Sequence, residues 1–294
     1  MPFIRNLKPF KISELDDFVK VFVQGKQIGE TRIDFSKKIS AFNDVWLLTE
    51  KGMELNPRLV TFDERTKAID DTFMALSENG TLPPFPDYSG FGGVDWISAY
   101  PHDGSGALFI IRRFYYSCLG LQAHAVVVNG YSGDKYWAAI RSKNVEAGAG
   151  KLDVIVAGMI RHHETTMEAL VHESEEEAGL TPEDLKGAVE VATLHLPNIN
   201  RYGFFQDEWL HIFDIDLKDK SPVVGTPYEI DGFKLLTIEQ LMSDIKDGTV
   251  FKEHIHVVIT DFLIRHGYLN ENHPEFEEIK DLLYRETYAL ADRP

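Results

Sequence analysis

One stretch restricts this chain more than any other: GMIRHHETTMEALVHESEEEAGL, Gly158 to Leu180. Within it Glu173, Glu176 and Glu177 stand at i, i+3 and i+4. On a helix that spacing brings three carboxylates onto one face, where like charges repel unless something offsets them. A divalent cation is the usual offset, and carboxylate oxygens with waters and substrate phosphates are the ligands Mg²⁺ prefers. A solvated acidic face is the plain alternative. Against it, a glycine closes each end of the unit, Glu164 stands where a helix would begin and suits its dipole, and Gly179 supplies a helix stop.

The other bulk properties mostly exclude. At 294 residues the chain has room for one large or two modest domains with a sizeable core. Its formal net charge of -17 argues against nucleic-acid or anionic-membrane partners, which need basic patches. Anionic phosphates must then be attracted locally, by a metal and a few Lys or Arg. The lone cysteine, Cys118, excludes an internal disulfide framework and a Cys-rich zinc site. No secretory signal and no membrane-length apolar run is evident, so a cytoplasmic protein is expected.

Along the chain, Leu15, Phe18, Val19 and Phe22 recur at helical spacing and predict an opening helix. Gly29 to Phe35 predicts a strand, and Ile69, Thr72, Phe73 and Leu76 a helix closed near Gly80. Val94–Tyr100 and Ala107–Arg113 read as short strands. From about Gln122 the pattern changes. Ala125–Val128 is an expected strand turning at Asn129-Gly130, with Tyr136–Arg141 as its partner. Strands are also expected at Val154–Ala157, Val189–Leu196 and Trp209–Ile215, with a helix over Thr165–Ala178. Ile238, Leu241, Met242 and Ile245 form one helical stripe; Ile255, Val258, Ile259, Phe262 and Leu263 form a stronger one, stopped at Gly267. The Gly-rich loop around Gly148, Gly150 and Lys151 lacks the P-loop spacing, and the histidine pairs lack the HExxH zinc pattern.

The 158–180 stretch resembles the Nudix box, G-x5-E-x7-R-E-U-x-E-E-x-G-U with U aliphatic. Gly158, Glu164, Glu173, Glu176, Glu177, Gly179 and Leu180 match; His172 replaces the family Arg, and Ser174 the first aliphatic residue. In the family that Arg orients the neighbouring Glu, which a His can do only as a donor. AVVVNGY (125–131), WAAIRSK (137–143), GKLDVIVAG (150–158) and DFLIRHGYL (261–269) are further similar to the fungal and plant Nudix hydrolases related to thiamine pyrophosphokinase. Met159 and Lys252-Glu253-His254 depart from that branch. The resemblance implies an α/β fold: a Nudix α/β/α sandwich with a mixed sheet (residues 121–294), preceded by a small α+β domain (residues 1–120). It also implies hydrolysis of thiamine diphosphate, or its oxidised damaged forms, to the monophosphate.

Carried over by motif position, Glu173, Glu176, Glu177 and the Ala157 carbonyl would hold Mg²⁺, or Mn²⁺ in its place. Glu164 would brace the box. Glu173 and Glu176 are the expected catalytic pair, while the general base is open among Glu173, Asp207, Glu208 and Glu229. Arg141 and Lys143, at a strand end beside the Gly-rich loop, are candidate phosphate contacts, with plain surface charge the equal alternative. Tyr202, Phe204 and Phe205 could stack on a flat heterocycle; core packing is the alternative for at least one of them.

Three other readings compete. The same reaction could act on ADP-ribose or a dinucleotide, because specificity lives in loops and in the N-terminal domain. A Nudix domain could bind a metabolite without turnover, though all three box glutamates are present. An isopentenyl-diphosphate isomerase-like reaction needs a cysteine near the metal, and Cys118 precedes the first expected Nudix strand. The expected partner is a small-molecule diphosphate, and a homodimer is only the common default.

Overall fold

The FVKVFV segment, Phe18–Val23, is a strand (β1) where the spacing predicts a helix. Val19, Val21 and Val23 are β-branched at period two, with Val21 and Val23 buried, and that alternation overrides the helical spacing of Leu15 and Phe22. Gln24 and Gly25, at φ 52° and 74°, make the two-residue turn into β2, Lys26–Arg32. The strand expected at Gly29–Phe35 therefore starts three residues earlier and ends where α1, Ile33–Ile39, begins. The computed structural model describes Leu7 and residues 15–83, 95–145, 147–218, 220–225 and 228–284.

Strands β3, Trp46–Thr49, and β4, Gly52–Leu55, complete a four-stranded sheet ordered β2-β1-β4-β3, in which β1 and β4 are parallel. Helix α2, Phe62–Glu78, is the predicted second helix, opened by a Thr61/Glu64 capping box and burying Ile69, Thr72, Phe73 and Leu76. A hairpin follows, β5 (Trp96–Ala99) with β6 (Phe109–Arg112), then a 3-10 helix over Arg113–Leu119. The two predicted strands there are present, and Val94 lies outside the described residues.

The second sheet contains β7 (Gln122–Ser132), β8 (Lys135–Arg141), β9 (Leu152–Asp153), β10 (Val156–Met159), β11 (Glu190–Ile199), β12 (Phe205–Asp216) and β13 (Ile230–Thr237). Its order is β11-β12-β7-β8-β13, with β10 on β7 and β9 on β8. β12 and β7 run parallel and the remaining pairs antiparallel, so the sheet is mixed. Helix α3, Thr166–Ala178, covers one face through Ala169 and Leu170 against Val126, Val128 and Phe213. The other face carries α4 (Ile238–Asp247), α5 (Ile255–Arg265) and α6 (Phe276–Tyr284), packed through Leu241, Val258, Phe262 and Ile279. Both predicted stripes are core, and the result is a helix–sheet–helix sandwich behind a small α+β unit.

Asn129-Gly130 is strand interior, not the expected turn. Asn129 is fully buried: its amide accepts from the Tyr136 hydroxyl at 2.8 Å and donates to Asp214 at 3.0 Å. Gly130 is there for space, since a Cβ would stand 2.5 Å from Ile155 Cδ1. The reversal falls instead at Gly133, φ 60°. The two halves of the chain share packing, because the core around Val21, Trp46 and Phe73 also contains Ala123 and Phe204.

Candidate active site

Helix α3 is fixed at both ends by its own sequence. The Thr165 side chain accepts from the Glu168 N–H while the Glu168 carboxylate accepts from the Thr165 N–H, and Gly179 ends the helix at φ 60°. Its core face is unusual: beside Ala169, Leu170 and Ala178 it buries Glu173, Ser174 and Glu177. Glu173 and Glu177 are only 6% and 7% exposed. Ser174, at the aliphatic position of the pattern, is fully buried, and among the described residues its Oγ has no hydrogen-bond partner.

Strand β10 meets this face. The Ala157 N–H donates to Glu177 Oε2 at 2.8 Å, and the Glu173 carboxylate packs onto the bare α-carbon of Gly158. Burial pushes the Glu173 carboxyl up to about 7, with Arg161 opposing and Glu176 adding to the rise. Glu177 is pushed well above the usual carboxylate range by burial and then by the neighbouring Glu173 charge. Among the described residues neither carboxylate has an ion-pair partner within 4 Å. Buried carboxylates with no countercharge are costly, and an oxygen-rich set of this kind suits a hard divalent cation. The residues present thus fit such an ion chemically. The side chains as they stand do not converge, since among the described residues no group of three or more His, Cys, Asp or Glu is arranged around one point. Glu176 instead faces His172 Nε2 at 3.2 Å.

Arg161 carries no signal in the motif, yet it stands at the centre of the box's contacts. Its Nη1 is 3.0 Å from His172 Nε2, its Nη2 is 3.8 Å from Glu176, and its Nε is 2.8 Å from Asp95 at the foot of β5. A guanidinium is therefore present beside the box although the motif's own Arg is His172. His172 Nδ1 lies 3.4 Å from Glu164 Oε1 without a well-aligned hydrogen bond. Glu164 Oε2 accepts from the Arg161 N–H at 2.9 Å and so closes the loop ahead of α3. No periodicity marks Arg161, because its partners are His172 and Glu176 on α3 and Asp95 just ahead of β5.

The remaining sequence candidates separate. Arg141 donates to Asp153 at 3.0 Å and to the Ala147 carbonyl at 2.9 Å with its side chain 12% exposed, so its guanidinium is committed inside the protein. Lys143 is exposed beside Gly150. Phe204 is buried edge-on against Phe35, at 5.1 Å between ring centroids, and Phe205 is fully buried, so neither offers a free ring face for stacking. Tyr202 is 38% exposed and carries the Arg201 guanidinium on its ring at 4.8 Å. Asp207 is taken by His195, whose ring stacks on Trp209, and Glu208 by the Tyr116 hydroxyl. Of the later acids, Glu229 is the one whose charge helps raise both Glu173 and Glu177. Cys118 is buried with its thiol pushed up by burial, which removes it as a nucleophile.

A glutamate helix seated between glycines on a mixed sheet is the architecture of a Nudix domain, and residues 120–257 match the NUDIX domain model. Residues 2–88 match a second model, "Domain of unknown function (DUF4743)". The chain thus carries a Nudix domain with a DUF4743 domain ahead of it, and Nudix hydrolases are generally diphosphatases that typically use a divalent metal. It is similar to Nudix hydrolase 24, chloroplastic, of Arabidopsis thaliana: 29% identical over 274 residues, covering 91% of this chain and 73% of that protein. Nudix hydrolase 20, chloroplastic, of the same plant is 27% identical over 285 residues, covering 92% and 73%. YJR142W of Saccharomyces cerevisiae is 24% identical over 262 residues, covering 83% and 75%. Among the described residues no helix is long and apolar enough to cross a membrane.

Proposed function

We infer that this chain hydrolyses a small-molecule diphosphate to a monophosphate with Mg²⁺, or Mn²⁺ in its place. Thiamine diphosphate or its oxidised forms are the substrate, and the cytoplasm the site of action. In this reading residues 1–120 form the N-terminal domain and residues 121–294 the catalytic one. The observation that carries it is the pair of buried carboxylates, Glu173 and Glu177, with no cationic partner within 4 Å among the described residues. The thiamine assignment rests on the branch-like stretches at 125–131, 137–143, 150–158 and 261–269.

Glu173, Glu176, Glu177 and the Ala157 carbonyl would hold the ion, which when bound neutralises phosphate oxygens and lowers the pKa of a water. Glu173 and Glu176 act in catalysis, and Glu229, whose charge is felt at both Glu173 and Glu177, is the candidate to take the water's proton. Gly158 lets Glu173 lie against β10, and Arg161 holds His172 and Glu176 in place while adding positive charge where phosphate arrives.

The test is product identification by mass spectrometry on thiamine diphosphate, oxothiamine diphosphate, ADP-ribose and NADH, with Glu177→Gln as control. Mg²⁺-dependent thiamine monophosphate, lost in the variant, is the expected result. Turnover of ADP-ribose or NADH alone would keep the chemistry and overturn the substrate. Mg²⁺ binding without turnover of any of the four would count against hydrolysis of these compounds.

A further inference from the structure

A cleft of about 590 Å³ opens between β5 and the mixed sheet. That volume lies within the range of small-molecule sites. One wall is Ile97 and Ser98 of β5; the others are Gln122 and His124 of β7, His211 of β12, and the loop that opens the Nudix box. Two contacts fix β5 to that loop: the His162 N–H donates to the Trp96 carbonyl at 2.7 Å, and Arg161 pairs with Asp95 at 2.8 Å. The cleft is thus built jointly by the N-terminal half and the Nudix half.

Its lining is rich in imidazole and poor in charge. His124 Nδ1 meets His211 Nε2 at 3.0 Å, and His162 Nδ1 meets Ser98 Oγ at 2.7 Å. Burial pushes both His124 and His162 below the usual histidine range, so these rings are neutral at pH 7. Arg161 is the one Lys or Arg among the lining residues, and it sits at the end facing the box, 3.8 Å from Glu176. A phosphate placed deep in the cleft would lose its water and find no cation. A flat ring with nitrogen donors and acceptors would instead find hydrogen-bonding edges on Ser98, Gln122 and the imidazoles, and apolar cover from Ile97 and Ile160.

We propose that this cleft binds a flat, uncharged nitrogen heterocycle in the non-phosphate part of the substrate, which in a thiamine compound is the aminopyrimidine, with Arg161 on the phosphate side of the cleft. The proposal rests on the diphosphate-hydrolase reading above and adds where the non-phosphate part is recognised. It replaces the 202–205 aromatic cluster, whose Phe204 and Phe205 are buried in packing.

The test reads binding, not turnover. The full chain, ¹⁵N-labelled at histidine, is titrated in Mg²⁺ with thiamine monophosphate, AMP and ribose 5-phosphate, which lacks a heterocycle, and the His124 and His162 imidazole signals are followed by NMR. Each signal is assigned by its His→Gln variant. At least one ring-bearing compound is expected to shift both signals while ribose 5-phosphate leaves them in place. Gln122→Trp, which fills the cleft, should weaken that binding at least tenfold; Ser98→Leu serves if Gln122→Trp fails to fold by circular dichroism. Unmoved His124 and His162 signals with both ring-bearing compounds would overturn the proposal. So would equal shifts with ribose 5-phosphate, or unchanged affinity in a folded cleft-filling variant. Turnover of thiamine diphosphate, oxothiamine diphosphate, ADP-ribose and NADH is measured on the same preparation, so imidazole shifts without hydrolysis of any of the four would sink the hydrolase reading and leave the ring site standing.

Discussion

The Glu173 carboxylate lies directly on the α-carbon of Gly158, so closely that a Cβ there would be 1.9 Å from Glu173 Cδ. Nothing flexible can absorb that overlap except Glu173 itself, which would have to leave β10. Gly158→Ala is therefore expected to fold with a loss of about 1–3 kcal/mol from overpacking. It should cut kcat by about 100-fold, because a displacement near 1 Å at a reacting centre costs about that much. Thermal unfolding and steady-state rates on the same preparation check this; wild-type kcat in the variant would show that the contact is only packing.

Metal-free stability should depend on pH through Glu173. Its carboxyl is raised from 4.5 to about 7 in the folded chain, mainly by burial. Below pH 4.5 both states hold the proton and no cost arises. Between 4.5 and 7 the unfolded chain releases the proton and the folded one keeps it, so stability falls as pH rises, and the cost stays above 7. The full difference is on the order of 3 kcal/mol. In EDTA, Glu173→Gln should flatten this part of the melting-temperature profile, and in wild type excess MgCl₂ should flatten it also. Parallel profiles for wild type and variant would rule the idea out.

Arg161 supplies the leading opposition to the Glu173 shift. Arg161→Ala should lower kcat/KM by about 10- to 100-fold, the size of effect expected from losing a preorganised charge near the reacting centre. It should also move the rising limb of the pH–rate profile to higher pH, since removing a neighbouring cation disfavours the carboxylate. Arg161→Lys should restore part of both. A uniform rate loss with an unmoved pH profile would mean that Arg161 serves only the fold.

Ser174 is fully buried on the face of α3 that also holds Glu173 and Glu177. Its hydroxyl is buried and unpaired, so Ser174→Ala should stabilise the chain by about 1 kcal/mol. Denaturant unfolding reads this directly, and a lower midpoint in the alanine variant would reveal a partner for the hydroxyl, such as a bound water.

Much of the Nudix half was legible because its signals are local. The α3 residues carry their own cap at Thr165, their own stop at Gly179 and carboxylates at helical spacing, and the stripes of α4 and α5 read directly as core. The misreadings share one cause, which is that a neighbour distant in sequence decides the local state. Asn129-Gly130 looks like a turn until Tyr136, Asp214 and Ile155 pack around it. Phe18–Val23 looks helical until β2 and β4 pair with it. Nothing near Arg141 or Phe204 in the sequence announces Asp153 or Phe35 either, the partners against which the structure places them.

The sequence by itself determined that a helix with three carboxylates on one face sits between two glycines, because backbone periodicity and capping act within a few residues. Only the tertiary structure decided which of those carboxylates are buried, that Arg161 lies against His172 where the motif has an arginine, and that β5 closes a cleft over the box loop. Burial, ion pairing and cavity shape depend on which distant segments meet, and chain-local propensity carries no record of that.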